Sequence, residues 1–78
     1  MSENEGMNNR QMGTVLIWRE KYGFIKPDSN VNDIRENNYY FPLEQVQEGY
    51  LPKPGDKITF KPNGEKYGRK QASYVRPI

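Results

Sequence analysis

The stretch Lys21-Tyr22-Gly23-Phe24-Ile25-Lys26 places two aromatic rings two residues apart, with glycine between them and a lysine on either side. In extended backbone, residues i and i+2 share a face. Tyr22 and Phe24 are therefore predicted side by side on one surface, with Gly23 and Ile25 turned the other way. Two adjacent rings in a basic setting form a surface on which unpaired bases can stack. The alternative is that the pair fills a core. Against that, Ile25 already supplies the buried side, and a buried Tyr22 hydroxyl would need a partner.

Outward from this stretch, Met12 to Trp18 is rich in β-branched and aromatic residues and reads as a strand. Alternation puts Gly13, Val15 and Ile17 on one face and Thr14, Leu16 and Trp18 on the other. Trp18 is then either a stacking surface or a partly buried anchor. Arg19-Glu20-Lys21 is the polar turn into Tyr22–Lys26, and Pro27-Asp28 ends that strand. Ser29 to Asn37 is a loop with a helical turn from Asn32 or Asp33. Asn38-Tyr39-Tyr40-Phe41 resumes an aromatic strand, which Pro42 closes. Tyr40 falls on the face of Tyr22 and Phe24, while Tyr39 and Phe41 fill the interior; a one-residue slip would exchange these roles.

Leu43 to Val46 predicts one helical turn carrying Leu43 and Val46 inward. Gln47 to Gly55 is a stiff proline-braced loop holding Tyr50. Asp56–Lys61 alternates cleanly, Ile58 and Phe60 inward. Pro62-Asn63-Gly64 predicts a turn and Glu65–Lys70 a charged loop. Gln71–Val75 is the last strand; Ala72 and Val75 cannot share a face by alternation alone, so a bulge or an end effect is expected there. Five short strands without a long helix predict an all-β, closed antiparallel barrel over residues 12–78, since closure removes exposed edges. Residues 1–11, polar and without periodicity, predict a disordered leader.

The 78 residues allow one domain with a small core. Cysteine and histidine are both absent, which removes disulfides, the usual zinc sites and the commonest general base. Asp28, Asp33 and Glu36 lack calcium-loop spacing, no serine has a histidine to activate it, and no glycine-rich loop leads into a helix. No enzymatic constellation, cofactor, metal or small-molecule substrate is expected. Without a membrane-length apolar run or a secretory leader, a cytoplasmic location is expected, with no membrane partner. Net charge is +2; residues 1–12 carry Arg10, Glu3 and Glu5, so the remainder holds 11 basic and 8 acidic residues, or +3. So mild a charge means that nucleic-acid binding must lean on stacking as well as on phosphate contacts.

From Gly13 to about Val75 the chain resembles the cold-shock domain family. Gly13-Thr14-Val15 resembles its opening strand, Lys21–Ile25 its first ribonucleoprotein motif and Asn38–Leu43 its second. Pro54–Phe60 and Gln71–Val75 are similar to its fourth and fifth strands. The resemblance implies a five-stranded oligonucleotide-binding (OB-fold) barrel that takes single-stranded RNA or DNA with low sequence specificity, in an RNA-chaperone or gene-regulatory role. There are departures. The turn before Tyr22 is about two residues short, and the loop before Tyr39 is longer by roughly five. Pro42 stands where the family has histidine, followed by Leu43 in place of an aromatic. Anchored on Gly13-Thr14-Val15, Ile17 takes the family's tryptophan position and Trp18 the next aromatic; anchored on Tyr22, the assignment slips.

The candidate nucleic-acid-binding residues are thus Trp18, Tyr22, Phe24 and Tyr40 for stacking, with Pro42 either stacking weakly or only ending its strand. Tyr50 is a candidate rim residue, Asn38 a candidate for a base edge or a turn, and Lys21, Lys26 and Lys70, with Arg19, candidates for phosphate. The competing reading is a protein-interaction barrel using the same aromatic face. A monomer is expected, with edge pairing into a dimer as the alternative.

Overall fold

The computed structural model describes residues 10–78. Most of the leader read over 1–11 lies outside the described residues, and its last member, Gln11, opens the first strand. Five strands follow: β1 (Gln11–Arg19), β2 (Tyr22–Pro27), β3 (Tyr39–Pro42), β4 (Lys57–Lys66) and β5 (Arg69–Pro77). They close into a barrel in the order β1-β2-β3-β5-β4. One pairing corrects the expected all-antiparallel sheet: β3 and β5 run parallel, Tyr39 against Lys70 and Tyr40 against Gln71. The connection Leu43–Asp56 crosses the barrel end, so β3 and β5 enter from the same side.

The core is small and apolar: Val15, Ile25, Phe41, Ile58, Phe60, Ala72 and Val75, with Trp18, Tyr39, Val46 and Tyr50 packed partly against it. Gly13 is required by close approach, since a Cβ there would lie 2.7 Å from Ile25 Cγ2 and 2.8 Å from the Lys26 carbonyl oxygen. Short 3₁₀ turns at Arg35–Asn37 and Leu43–Gln45 are the only helical segments among the described residues. The first falls slightly later than expected. In the second, Val46 packs inward but Leu43 stays 47% exposed, against the expectation for it.

Three bulges set the faces, and two of them were not expected from the sequence. In β1, Val15 faces Ile25 but Ile17 faces Phe24, so Leu16 is an extra residue that bulges out. Beyond it the parity inverts. Ile17, expected inside, turns to the Phe24 side and is half-buried, while Trp18 comes opposite Gly23. In β4, Pro62 faces Ala72 and Glu65 faces Lys70, so the predicted Pro62-Asn63-Gly64 turn is instead a bulge within a longer strand. The chain reverses at Tyr67-Gly68, both at positive φ (55° and 74°), as a two-residue hairpin requires. The predicted Glu65–Lys70 loop is therefore the tip of the β4–β5 hairpin. The third bulge, in β5 at Tyr74, is the one that Ala72 and Val75 demanded: both are buried.

Candidate nucleic-acid interface

Three rings meet on the outer face of β2 and β3. Phe24 sits directly opposite Tyr40, and Tyr22 opposite Pro42, as the antiparallel register dictates. Ring centroids lie 6.0 Å apart for Tyr22–Phe24, 5.8 Å for Tyr22–Tyr40 and 5.9 Å for Phe24–Tyr40. The two contacts of Phe24 are edge-on, an arrangement that ring quadrupoles favour, and the Tyr22–Tyr40 contact is tilted. Tyr22 is 39% exposed; Phe24, Tyr40 and Pro42 are half-buried. Behind them, Gly23, Ile25 and Phe41 are buried, so the predicted inward and outward sets of both strands are those observed.

A cleft runs between these rings and the β4–β5 hairpin. Tyr22, Phe24, Tyr40 and Pro42 line one side, and Lys66, Tyr67, Arg69 and Gln71 the other. A second hollow lies beyond Phe24, bounded by Leu16 and Ile17 at the β1 bulge, by Arg35 and Asn38 from the long loop, and again by Arg69. Arg69 divides the two, its guanidinium carbon 5.0 Å from the Phe24 centroid. A planar cation resting on an aromatic face can equally stack on a base or bind a phosphate.

The structure does not bring all the sequence candidates to this surface. Trp18 stacks on the buried Phe41 ring, 5.4 Å between centroids and 22° between planes. The β1 bulge turns it to the Gly23 side, so it anchors the barrel end and is not part of the ring cluster. Tyr50 packs against the core and donates from its hydroxyl to Asp56 Oδ2 at 2.7 Å, the same oxygen that accepts the Lys53 backbone N–H. It pins the proline-braced loop and is not a rim stacker. Asn38 is buried beneath the long loop, where its Oδ1 accepts from Asn30 Nδ2 at 2.9 Å. Asn30 also exchanges hydrogen bonds with the backbone of Ile34, so Asn38 serves the loop even though it borders the second hollow.

Of the lysines, Lys21 is exposed in the turn at the Tyr22 end, and Lys26 leans to Asp33, 3.6 Å away. Lys70 pairs with Tyr39, not with the outer rings, and approaches Glu65 at 3.9 Å. None of the three lines either hollow, and neither does the exposed Arg19. The cations that do are Arg35, Lys66 and Arg69, which sequence reading passed over, as it did Gln71. The recoverable signal was Tyr67-Gly68. Read as a hairpin turn, it puts Lys66 and Arg69 across from each other and Arg69 and Gln71 on one face.

Burial, the hydrogen bond to Asp56 and that carboxylate's charge together push the Tyr50 hydroxyl well above the ordinary tyrosine range. A raised folded-state pKa contributes stability that is complete below about pH 10, where unfolded tyrosine titrates, and is lost as the pH climbs through the folded value. Tyr50→Phe is expected to cost about 1 kcal/mol at neutral pH. It should also flatten the alkaline decline of the denaturation midpoint, followed by circular dichroism between pH 8 and pH 11.

The barrel closely matches a solved structure described as Drosophila Unr CSD456, with a TM-score of 0.69 at 18% identity. The chain has the cold-shock domain fold. All of it is covered by the match, which takes in 31% of the longer Unr chain, so it spans about a third of that neighbour. No family model matches the sequence, and neither does any curated protein. Along β1, Ile17 takes the outward position and Trp18 the inward one.

Proposed function

We propose that this cold-shock barrel binds single-stranded RNA or DNA, stacking bases on Tyr22, Phe24 and Tyr40, with Pro42 extending the row. The observation that carries this reading is the cluster of three outward rings facing a hairpin that brings Lys66, Arg69 and Gln71 to the same cleft. Stacking on a ring tolerates any base, so sequence preference is modest. Arg69, Lys66 and Arg35 take phosphates, and the Gln71 amide is placed to meet a base edge. Binding by stacking and charge needs no covalent chemistry. A non-enzymatic, strand-holding role of RNA-chaperone or gene-regulatory type follows, in the cytoplasm. A protein contact on the same face is the competing reading.

Titration of a thymidine heptamer, its RNA counterpart and a duplex of matched length, followed by calorimetry and amide shifts, tests this. The single strands should bind and move Tyr22, Phe24 and Tyr40, and the duplex should bind more weakly. Three phosphate contacts predict a slope of about −2 for log K against log salt, at ~0.7 per contact. Arg69→Gln should reduce that slope by about 0.7. Single strands that leave those signals unmoved would rule the proposal out.

A further inference from the structure

The bulge in β5 does more than seat Ala72 and Val75. Between Thr59–Arg76 and Lys61–Ser73 the strand holds one residue too many, and Tyr74 absorbs it at φ 53°, a left-handed conformation costly for a side chain of this size. Strict alternation from Arg69 and Gln71 would have put Ser73 and Val75 outside. The bulge buries those two and turns Tyr74 and Arg76 outward, Tyr74 being 63% exposed. The outer face of β5 therefore reads Arg69, Gln71, Tyr74 and Arg76, from the cleft to the far end of the strand.

Around Tyr74 the surface is basic. Lys61 Nζ stands 5.3 Å from its ring centroid. The Arg10 guanidinium donates to the Tyr74 carbonyl oxygen at 2.6 Å and to Thr59 Oγ1 at 2.8 Å, and Arg76 lies across from Thr59. Burial lowers the Arg10 pKa, and the charge of Arg76 lowers it further. Among the described residues no acid pairs with Arg10, Lys61 or Arg76, whereas Lys26, Lys57 and Lys70 each have one. A ring standing among cations that no described acid pairs suits a nucleotide, which offers a base to stack and a phosphate to pair.

We propose that Tyr74, Lys61, Arg10 and Arg76 form a second contact site for the same nucleic-acid strand, reached along β5. Gln71 at the cleft and Tyr74 are three residues apart, about 10 Å in extended backbone. The continuity of the path rests on the stacking reading of Tyr22, Phe24 and Tyr40; the site itself does not. An acidic protein segment would match the charge but would leave the exposed ring, and the strained backbone that presents it, without a role.

The test compares oligothymidylates of 6 and 18 nucleotides, titrated into the full chain and followed by amide shifts and calorimetry. The 6-mer should move the β2–β3 face alone. The 18-mer should also move Lys61, Tyr74 and Arg76 and bind more tightly than chain length alone gives. K61Q/R76Q, with both side chains on the outer face, should cancel that gain and lower the 18-mer's salt slope by about 1.4, leaving the 6-mer unchanged. If only the stacking reading is wrong, the 18-mer still moves Tyr74 and Arg76 while Tyr22 and Phe24 stay still. An 18-mer that leaves Tyr74 and Arg76 unmoved, or that K61Q/R76Q binds like the parent, overturns the second site. So does a glutamate hexamer that moves those signals where the 18-mer does not.

Discussion

Gly23→Ala is expected to be the most destabilising single change of those considered, for a reason visible in the β1–β2 register. Gly23 pairs with Trp18 inside the barrel. A Cβ at this position would lie 2.4 Å from the Ile17 carbonyl oxygen, 2.9 Å from the Trp18 ring and 3.0 Å from the Phe41 ring. The oxygen belongs to the paired strand and the two rings are stacked on each other, so none of the three can retreat without opening the sheet. Overpacking ordinarily costs about 1–3 kcal/mol, and a clash with paired backbone belongs at or above the top of that range. For a domain of this size, with roughly 4–10 kcal/mol of total stability, that is a large share. Urea unfolding followed by Trp18 fluorescence should show it, because Trp18 is packed against the core. Gly64→Ala is the control. Nothing lies within 4 Å of its added Cβ, and only the positive φ of 71° is strained, so it should cost about 1–2 kcal/mol. Equal losses at the two positions would refute the packing account.

The second large effect is on binding. Phe24→Ala removes the ring that touches both Tyr22 and Tyr40 and carries Arg69 above it. The stacking reading predicts single-strand affinity weaker by about 1–3 kcal/mol, roughly five- to 150-fold in Kd. Stability should fall much less, because Phe24 stands on the outer face and Ile25 and Phe41 behind it remain. Measuring Kd by calorimetry beside a thermal melt separates the outcomes. Weak binding with a nearly unchanged melt is the expected result. A collapse of the melt would assign Phe24 to the core, and unchanged binding would remove it from the interface.

These two neighbours also mark where sequence reading succeeds. Tyr22, Phe24 and Tyr40 lie within strands that keep strict alternation, so counting residues put all three on one face. Trp18, one strand earlier, was misplaced by the same count because Leu16 bulges out and inverts the parity behind it. Nothing in Val15-Leu16-Ile17 announces a bulge. Its consequence is accommodated across the sheet, where Gly23 leaves room on the inner side for the Trp18 ring against Phe41. Lys70 was preferred to Arg69 for a related reason. The charged stretch Glu65–Lys70 reads as a loop until the hairpin turn at Tyr67-Gly68 fixes which residue points to the cleft.

By itself the sequence determined the five strands, most of the small apolar core and the outward ring trio, because each depends on patterns within a strand. Tertiary structure alone decided the parallel closure of β3 on β5, the inward turn of Trp18, the retreat of Asn38 and Tyr50 into loop support, and the arrival of Arg69 over Phe24. The physical reason is that alternation fixes a side chain only relative to its neighbours on the same strand. Bulges, hairpin turns and barrel closure then fix the strands relative to one another, and these come from packing between residues far apart in the chain.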